Sequence, residues 1–202
     1  MKQLFLSAAL ALFSVSAMAQ TTIKPLPIGA AIPAATVKMQ GTDGKSYTLD
    51  KVKSDKGLLV MFSCNTCPYV IKSQQRTMEV MKMAQESNIP MIIVNSNEAQ
   101  RGEQDSYQAM QEYGKSQGYF APYALDEKSQ LANAFGATRT PEVFLFNGKG
   151  KLVYTGAMED NPSEPASSKQ LFLANALKNV NTATPISPAT TKSIGCSIKR
   201  AQ

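Results

Sequence analysis

The sequence predicts one α/β domain: a central mixed sheet flanked by helices, with an N-terminal β-hairpin and one helical insertion. Three observations carry that reading. Gly57–Ser63 (GLLVMFS) and residues 90–96 (PMIIVNS) are mostly apolar runs of strand length, the pattern of strands buried on both faces. Stretches with helical spacing separate the strands, and strand–helix–strand crossovers imply parallel pairing beneath helices. Late in the chain, Glu142–Asn147 and residues 151–157 flank Asn147-Gly148-Lys149-Gly150, a hairpin signal that adds an antiparallel edge.

The remaining elements follow in chain order. Residues 1–19 have the layout of a secretory signal peptide: Met1-Lys2 is positive, residues 4–15 are mostly apolar, and Ala17-Met18-Ala19 places the cut after Ala19. The apolar run is shorter than the about 20 residues a membrane span needs. No Cys follows the cut that could carry a lipid, and no later stretch is long and apolar enough to cross a membrane. The mature chain is therefore expected to be periplasmic or secreted, where disulfides persist. Residues 20–35, with Pro25, Pro27 and Pro33, read as an extended lead-in. The folded domain is expected over residues 36–180. Within it, residues 36–39 and 46–49 read as short strands around an Asp43-Gly44 turn. Residues 68–87 read as a helix with Val70, Ile71, Met78, Met81 and Ala84 near one face. Residues 103–116 form the polar helical insertion, residues 128–137 a helix stopped near Gly136, and residues 167–180 the last helix. Residues 181–202 are rich in Thr, Ser and Pro without an apolar period, and read as a flexible tail carrying Cys196.

Composition narrows the function. The chain has 202 residues, 43% of them hydrophobic and 18% charged, which suits one packed domain and not a disordered chain. Losing Lys2 with the signal takes Lys plus Arg from 21 to 20 against 15 acids, a net charge of +5. The lysines are scattered and no basic-aromatic stripe exists, which argues against nucleic acid as a partner. There are three cysteines and no histidine, which removes most zinc, haem and copper designs.

The chemistry centres on Cys64-Asn65-Thr66-Cys67-Pro68, where a buried strand gives way to a helix. The first turn of a helix has N–H groups without internal partners, and these with the helix dipole favour negative charge. A thiol there can fall from about 8.5 to roughly 3.5–7.5, and the thiolate is the form that attacks a disulfide. A structural disulfide would be a poor staple at so small a loop. A zinc site lacks a second ligand pair, and a haem attachment would need His where Pro68 stands. A second feature, Arg139-Thr140-Pro141-Glu142, lies just before the EVFLFN strand.

Four stretches, MFSCNTCPYV, IIVNSNE, GATRTPEVFLFN and GCSIK, give the chain a resemblance. It resembles the thioredoxin superfamily, and within it the redoxin branch related to alkyl hydroperoxide reductase and thiol-specific antioxidant proteins. The match spans roughly residues 35–180. It implies a thioredoxin-like sandwich with a cis Thr140–Pro141 peptide facing the cysteines. It also implies attack by Cys64, release by Cys67, and docking of substrate against Thr140 and Pro141. The chain departs from thioredoxin in having Ser63 where Trp is usual, and no acid in the strand before the cysteines. The proton-handling group is left unassigned. The peroxiredoxin pattern of Thr three and Pro seven residues before the nucleophile is missing too; Met61 and Gly57 stand there.

These features make an exported thiol–disulfide oxidoreductase the leading expectation. Its substrates would be disulfide-containing proteins or small molecules, and its partner an extracytoplasmic thiol donor or acceptor. It would need no cofactor and no metal. A thiol-dependent peroxidase is the alternative enzyme. A noncatalytic copper-binding module is a further alternative, prompted by Met78, Met81 and Met83, although with no His available core packing is the better account of these methionines. Cys196 reads either as a third redox thiol, folding back to pair with Cys64 or linking to Cys196 of a second molecule, or as an idle surface thiol. About 15 residues from the last helix give it an r.m.s. reach of roughly 20 Å.

Overall fold

A computed structural model describes residues 23–180, 182 and 184–201; the expected signal peptide lies outside them. After the lead-in come β1 (Met39–Gly41), β2 (Ser46–Tyr47), α1 (Leu49–Val52) and β3 (Gly57–Ser63). Next follow α2 (Pro68–Lys72), α3 (Gln74–Glu86), β4 (Met91–Asn95), α4 (Tyr107–Ser116), β5 (Tyr123–Leu125) and α5 (Gln130–Phe135). The chain closes with β6 (Arg139–Thr140), β7 (Glu142–Asn147), β8 (Leu152–Gly156), α6 (Phe172–Asn179) and β9 (Cys196–Ser197).

Seven strands form one sheet in the order β2-β1-β5-β4-β3-β7-β8. The β3–β4 and β4–β5 pairs are parallel, and the pairs toward both edges are antiparallel. Alternation along β3 divides the core. Leu58, Val60 and Phe62 pack with Leu49 of α1 and Leu131 and Phe135 of α5. Leu59 and Met61 pack on the opposite face with Val80 and Met81 of α3, Met110 of α4 and Leu173 of α6. The uninterrupted apolar run is thus a central strand covered on both sides. Phe62 meets Phe135 and Phe144 edge-on, with centroids 5.4 and 5.6 Å away. Met81 is buried, and Met78 and Met83 pack against the same core.

Local differences from the sequence reading have identifiable causes. The helix expected over residues 68–87 breaks at Ser73 (φ −86°, ψ 10°), a buried residue whose carbonyl accepts from Thr77 Oγ1 at 3.1 Å. The break turns Ile71 outward to 54% exposure while Val70 stays buried. The second short strand stops at Tyr47, because Leu49 is drawn fully into the core at the start of a one-turn helix. The insertion becomes helical only at Tyr107, where Ser106 caps it by accepting from Ala109 N–H at 3.2 Å. Strand β5 went unanticipated; three residues carry no period, yet they join β4 to β1. Gly136 ends α5 at φ +67°, and a Cβ there would overlap the Lys24 carbonyl of the lead-in.

From Ala189 onward the segment expected as a free tail lies largely against the body. Thr155 N–H donates to Ala189 O at 3.1 Å and Thr191 N–H to Thr155 O at 3.0 Å, so the chain runs along the outer edge of β8. The lead-in uses the same edge further along: Gly29 N–H donates to Leu152 O and Leu152 N–H to Ala30 O, each at 2.8 Å. Beyond this, β9 pairs antiparallel with β6, and Ile198 is buried in the core that contains Phe62. Main-chain bonds, side-chain bonds of Thr191 and Arg200 and the buried Ile198 hold the segment, and composition shows none of these pairings.

Candidate active site

Strand β3 ends at Ser63 and α2 begins at Pro68, so the four residues between them sit at the mouth of the parallel strands. Cys67 is the helix N-cap, with extended backbone (φ −66°, ψ 123°), and Pro68 occupies the first turn, where its missing N–H costs nothing. All three cysteines are free thiols; Cys64 and Cys67 are buried and Cys196 is half-buried. Thr140 reaches both sulfurs of the pair. Its Oγ1 lies 3.4 Å from Cys64 Sγ, and its carbonyl accepts from the Cys67 thiol at 3.2 Å. The Thr140–Pro141 peptide is cis. Cys196 arrives from the far end of the chain, opposite Thr140 in the β6–β9 ladder. Its N–H points at Cys67 Sγ at 3.4 Å, and its thiol hydrogen-bonds the same sulfur. The tail cysteine therefore faces Cys67, not Cys64.

A hydrogen bond between the two buried thiols separates their acidities. Cys67 is held well below the ordinary thiol value, first by the hydrogen bond from Cys64, then by bonds from Cys196 and from the Val70 N–H in the first turn of α2. Cys64 is pushed up by that same bond, by burial, and by the charge of Asp105. With β9 docked, the negative charge of the pair thus rests on Cys67. Cys196 is pushed up by burial and by its hydrogen bond to Cys67. Burial also pushes Tyr113, which packs against this cluster, up to about 12, so it stays protonated beside the sulfurs.

A buried polar network behind the cysteines escaped the sequence reading. Asp105 is fully buried, and its carboxylate accepts from Asn65 N–H at 2.9 Å, Asn95 Nδ2 at 2.7 Å and Asn97 Nδ2 at 2.9 Å. Tyr123 OH donates to Asn65 Oδ1 at 2.8 Å and accepts from Asn95 Nδ2 at 2.9 Å. Asn97 Oδ1 also accepts from Lys199 N–H at 2.9 Å, tying the tail to the same cluster. Asn95-Ser96-Asn97 at the end of a buried strand was the available signal, since amides in that place need buried partners. Next to it, Asp126 accepts from Leu131 and Ala132 N–H at the start of α5, and burial raises its pKa.

Among the described residues, no group of three or more His, Cys, Asp or Glu is placed to hold a metal ion, and no helix is long and apolar enough to cross a membrane. An apolar cavity of about 490 Å³ lined by Tyr47, Met81, Met91 and Phe120 contains neither the cysteines nor Thr140. Cys64 and Cys67 lie instead at the covered β3–α2 junction.

The redoxin family profile matches residues 27–171, most of the chain. The chain belongs to the redoxin family. A conserved protein from Geobacillus kaustophilus is 30% identical to this redoxin, with 87% of this chain and 93% of that one covered at a TM-score of 0.78. A protein from Sinorhizobium meliloti is 28% identical, with 88% and 97% covered at 0.77. The thioredoxin domain of a thiol-disulfide oxidoreductase from Bacteroides vulgatus is 19% identical, with 77% and 99% covered at 0.58; that likeness is one of fold. No curated protein matches the redoxin's sequence.

Proposed function

We propose that this redoxin is an exported thiol–disulfide oxidoreductase that works through Cys64 and Cys67. The observation that carries the reading is the contact of one residue, Thr140, with both thiols, through its hydroxyl to Cys64 and its carbonyl to Cys67. In the reductive direction a thiolate of the pair attacks a substrate disulfide. A mixed disulfide forms and one substrate thiolate leaves with a proton. The second cysteine then attacks the mixed disulfide, freeing the other substrate thiol and closing Cys64–Cys67. Two electrons and two protons pass from the pair to the substrate, and no cofactor is required. Cys196 supplies part of what holds charge on Cys67. The family resemblance implies attack by Cys64 and release by Cys67, whereas the hydrogen bond from Cys64 lowers the Cys67 thiol instead.

Thr140 and Pro141 form the docking edge. The layout of residues 1–19 supports a periplasmic or secreted location, and with it an extracytoplasmic thiol donor or acceptor as partner. Exchange is favoured over peroxide reduction because the residues three and seven before Cys64 are Met61 and Gly57, both within β3. Reduction of a disulfide-bonded protein substrate by dithiothreitol, followed with and without the redoxin, tests the reading. Catalysis should fall to background in Cys64→Ser and in Cys67→Ser; full activity in either variant refutes it.

A further inference from the structure

The docking edge beside the cysteines is occupied by the protein's own chain. Thr140, the residue that touches both thiols, is the ladder partner of Cys196. Main-chain groups hold the segment on each side: Ile198 N–H donates to Thr138 O at 3.1 Å, and Ala99 N–H to Lys199 O at 2.8 Å. The flanking residues fit by shape. A Cβ on Gly195 would overlap the Thr140 carbonyl, so only glycine allows this approach. Arg139 donates to Ser197 Oγ at 3.0 Å, and Ile198 is buried. An extended segment held by backbone pairing, with alternate side chains seated, is the mode by which peptides add to a strand.

We propose that β9 is a built-in substrate of the dithiol site: Cys196 exchanges with the Cys64–Cys67 disulfide at Cys67, and the edge it occupies accepts extended protein segments carrying a cysteine behind a glycine. This inference rests on the exchange reading above. The exchange balances without a further oxidant. Once substrate reduction has closed Cys64–Cys67, the Cys196 thiol gives up its proton and its sulfur attacks Cys67 Sγ. The Cys67–Cys196 bond forms, the Cys64–Cys67 bond breaks, and Cys64 leaves as a thiolate that takes up the proton. The disulfide moves and no net oxidation occurs. In the reduced protein burial, then the bond to Cys67 and its charge, push the Cys196 thiol up. Oxidation removes the part that comes from Cys67 and leaves the part that comes from burial.

The test uses the full chain. The reduced protein is treated with oxidised glutathione, quenched in acid, alkylated with N-ethylmaleimide and digested without reduction for mass mapping. Wild type should yield a Cys67–Cys196 peptide with Cys64 alkylated, alongside Cys64–Cys67 with Cys196 alkylated. In Cys64→Ser, where Cys67 attacks glutathione disulfide and Cys196 resolves the adduct, Cys67–Cys196 should be the main product. Complete alkylation of Cys196 in both proteins, with Cys64–Cys67 forming normally in wild type, overturns this inference and leaves the exchange reading intact. Absence of any disulfide at Cys64 and Cys67 removes both. Gly195→Val should lose the Cys67–Cys196 product and react faster with an external Gly-Cys disulfide peptide; unchanged linkage and rate refute docking by β9.

Discussion

Replacing Asp105 with Ala tests whether the network behind the cysteines holds the CxxC loop in place. The carboxylate is fully buried and accepts three hydrogen bonds of 2.7–2.9 Å. A buried donor left without a partner costs about 1–3 kcal/mol. Two of the three donors keep a second contact: Asn95 Nδ2 with Tyr123 OH at 2.9 Å, and Asn97 Nδ2 with Gln100 Oε1 at 3.4 Å. The Asn65 N–H is left facing the gap. The expected loss is therefore about 1–3 kcal/mol. At about 2–4 °C per kcal/mol for a chain of this size, the melting temperature falls by about 2–12 °C. Urea and thermal unfolding of the reduced protein measure this. The milder Asp105→Asn removes the charge that raises Cys64, so Cys64 should alkylate faster than in wild type at the same pH. A loss below about 1 kcal/mol in Asp105→Ala, together with unchanged Cys64 labelling in Asp105→Asn, would refute the reasoning.

Three further outcomes are expected. Phe62→Ala should cost about 3–5 kcal/mol in denaturant unfolding, because its ring is fully buried among Phe135 and Phe144; a loss under half that contradicts the core assignment. Thr140→Val removes the hydroxyl at Cys64 but keeps the carbonyl at Cys67, so exchange should slow while stability changes by about 1 kcal/mol or less. Undiminished turnover there would show that the hydroxyl has no part in the chemistry. The pH dependence follows from Cys67, whose pKa lies below the ordinary 9.0 in the folded chain. Its ionisation contributes stability fully above about 9, loses it as pH falls through the lowered value, and contributes nothing below that. The stability of reduced wild type relative to Cys67→Ser should rise with pH across that window, and a flat difference counts against a thiolate at Cys67.

What the sequence made legible was whatever a short window contains. β3, β4 and the β7–β8 hairpin announce themselves because burial on two faces demands apolar runs and tight turns demand Asn and Gly. Cys64, Cys67, Thr140 and Pro141 stand in local motifs, and the fold brings them together. β5 was not legible: Tyr123–Leu125 is a strand because of the strands on either side of it. Asp105 sits in a polar stretch, and nothing nearby marks it as the acceptor for Asn65, Asn95 and Asn97. The break at Ser73 depends on which side chains reach the core, which helical spacing does not settle. Cys196 was legible as a cysteine in search of a partner, but its place opposite Thr140 depends on main-chain pairing and on a close approach at Gly195 that shows only once the two segments meet.

The segment that brings Cys196 home also lies along the outer edge of β8, with Thr155 bonded to Ala189 and Thr191. An uncovered edge strand offers its N–H and C=O groups to any other chain, and a row of them is a template for self-association. One stretch of chain therefore serves both the redox site and the solubility of the sheet. Cutting the chain before residue 189 would bare Thr155 at the same moment that it removes the cysteine, and any change in activity would arrive mixed with aggregation. Point substitution at Cys196 or Gly195 leaves the guard along β8 in place.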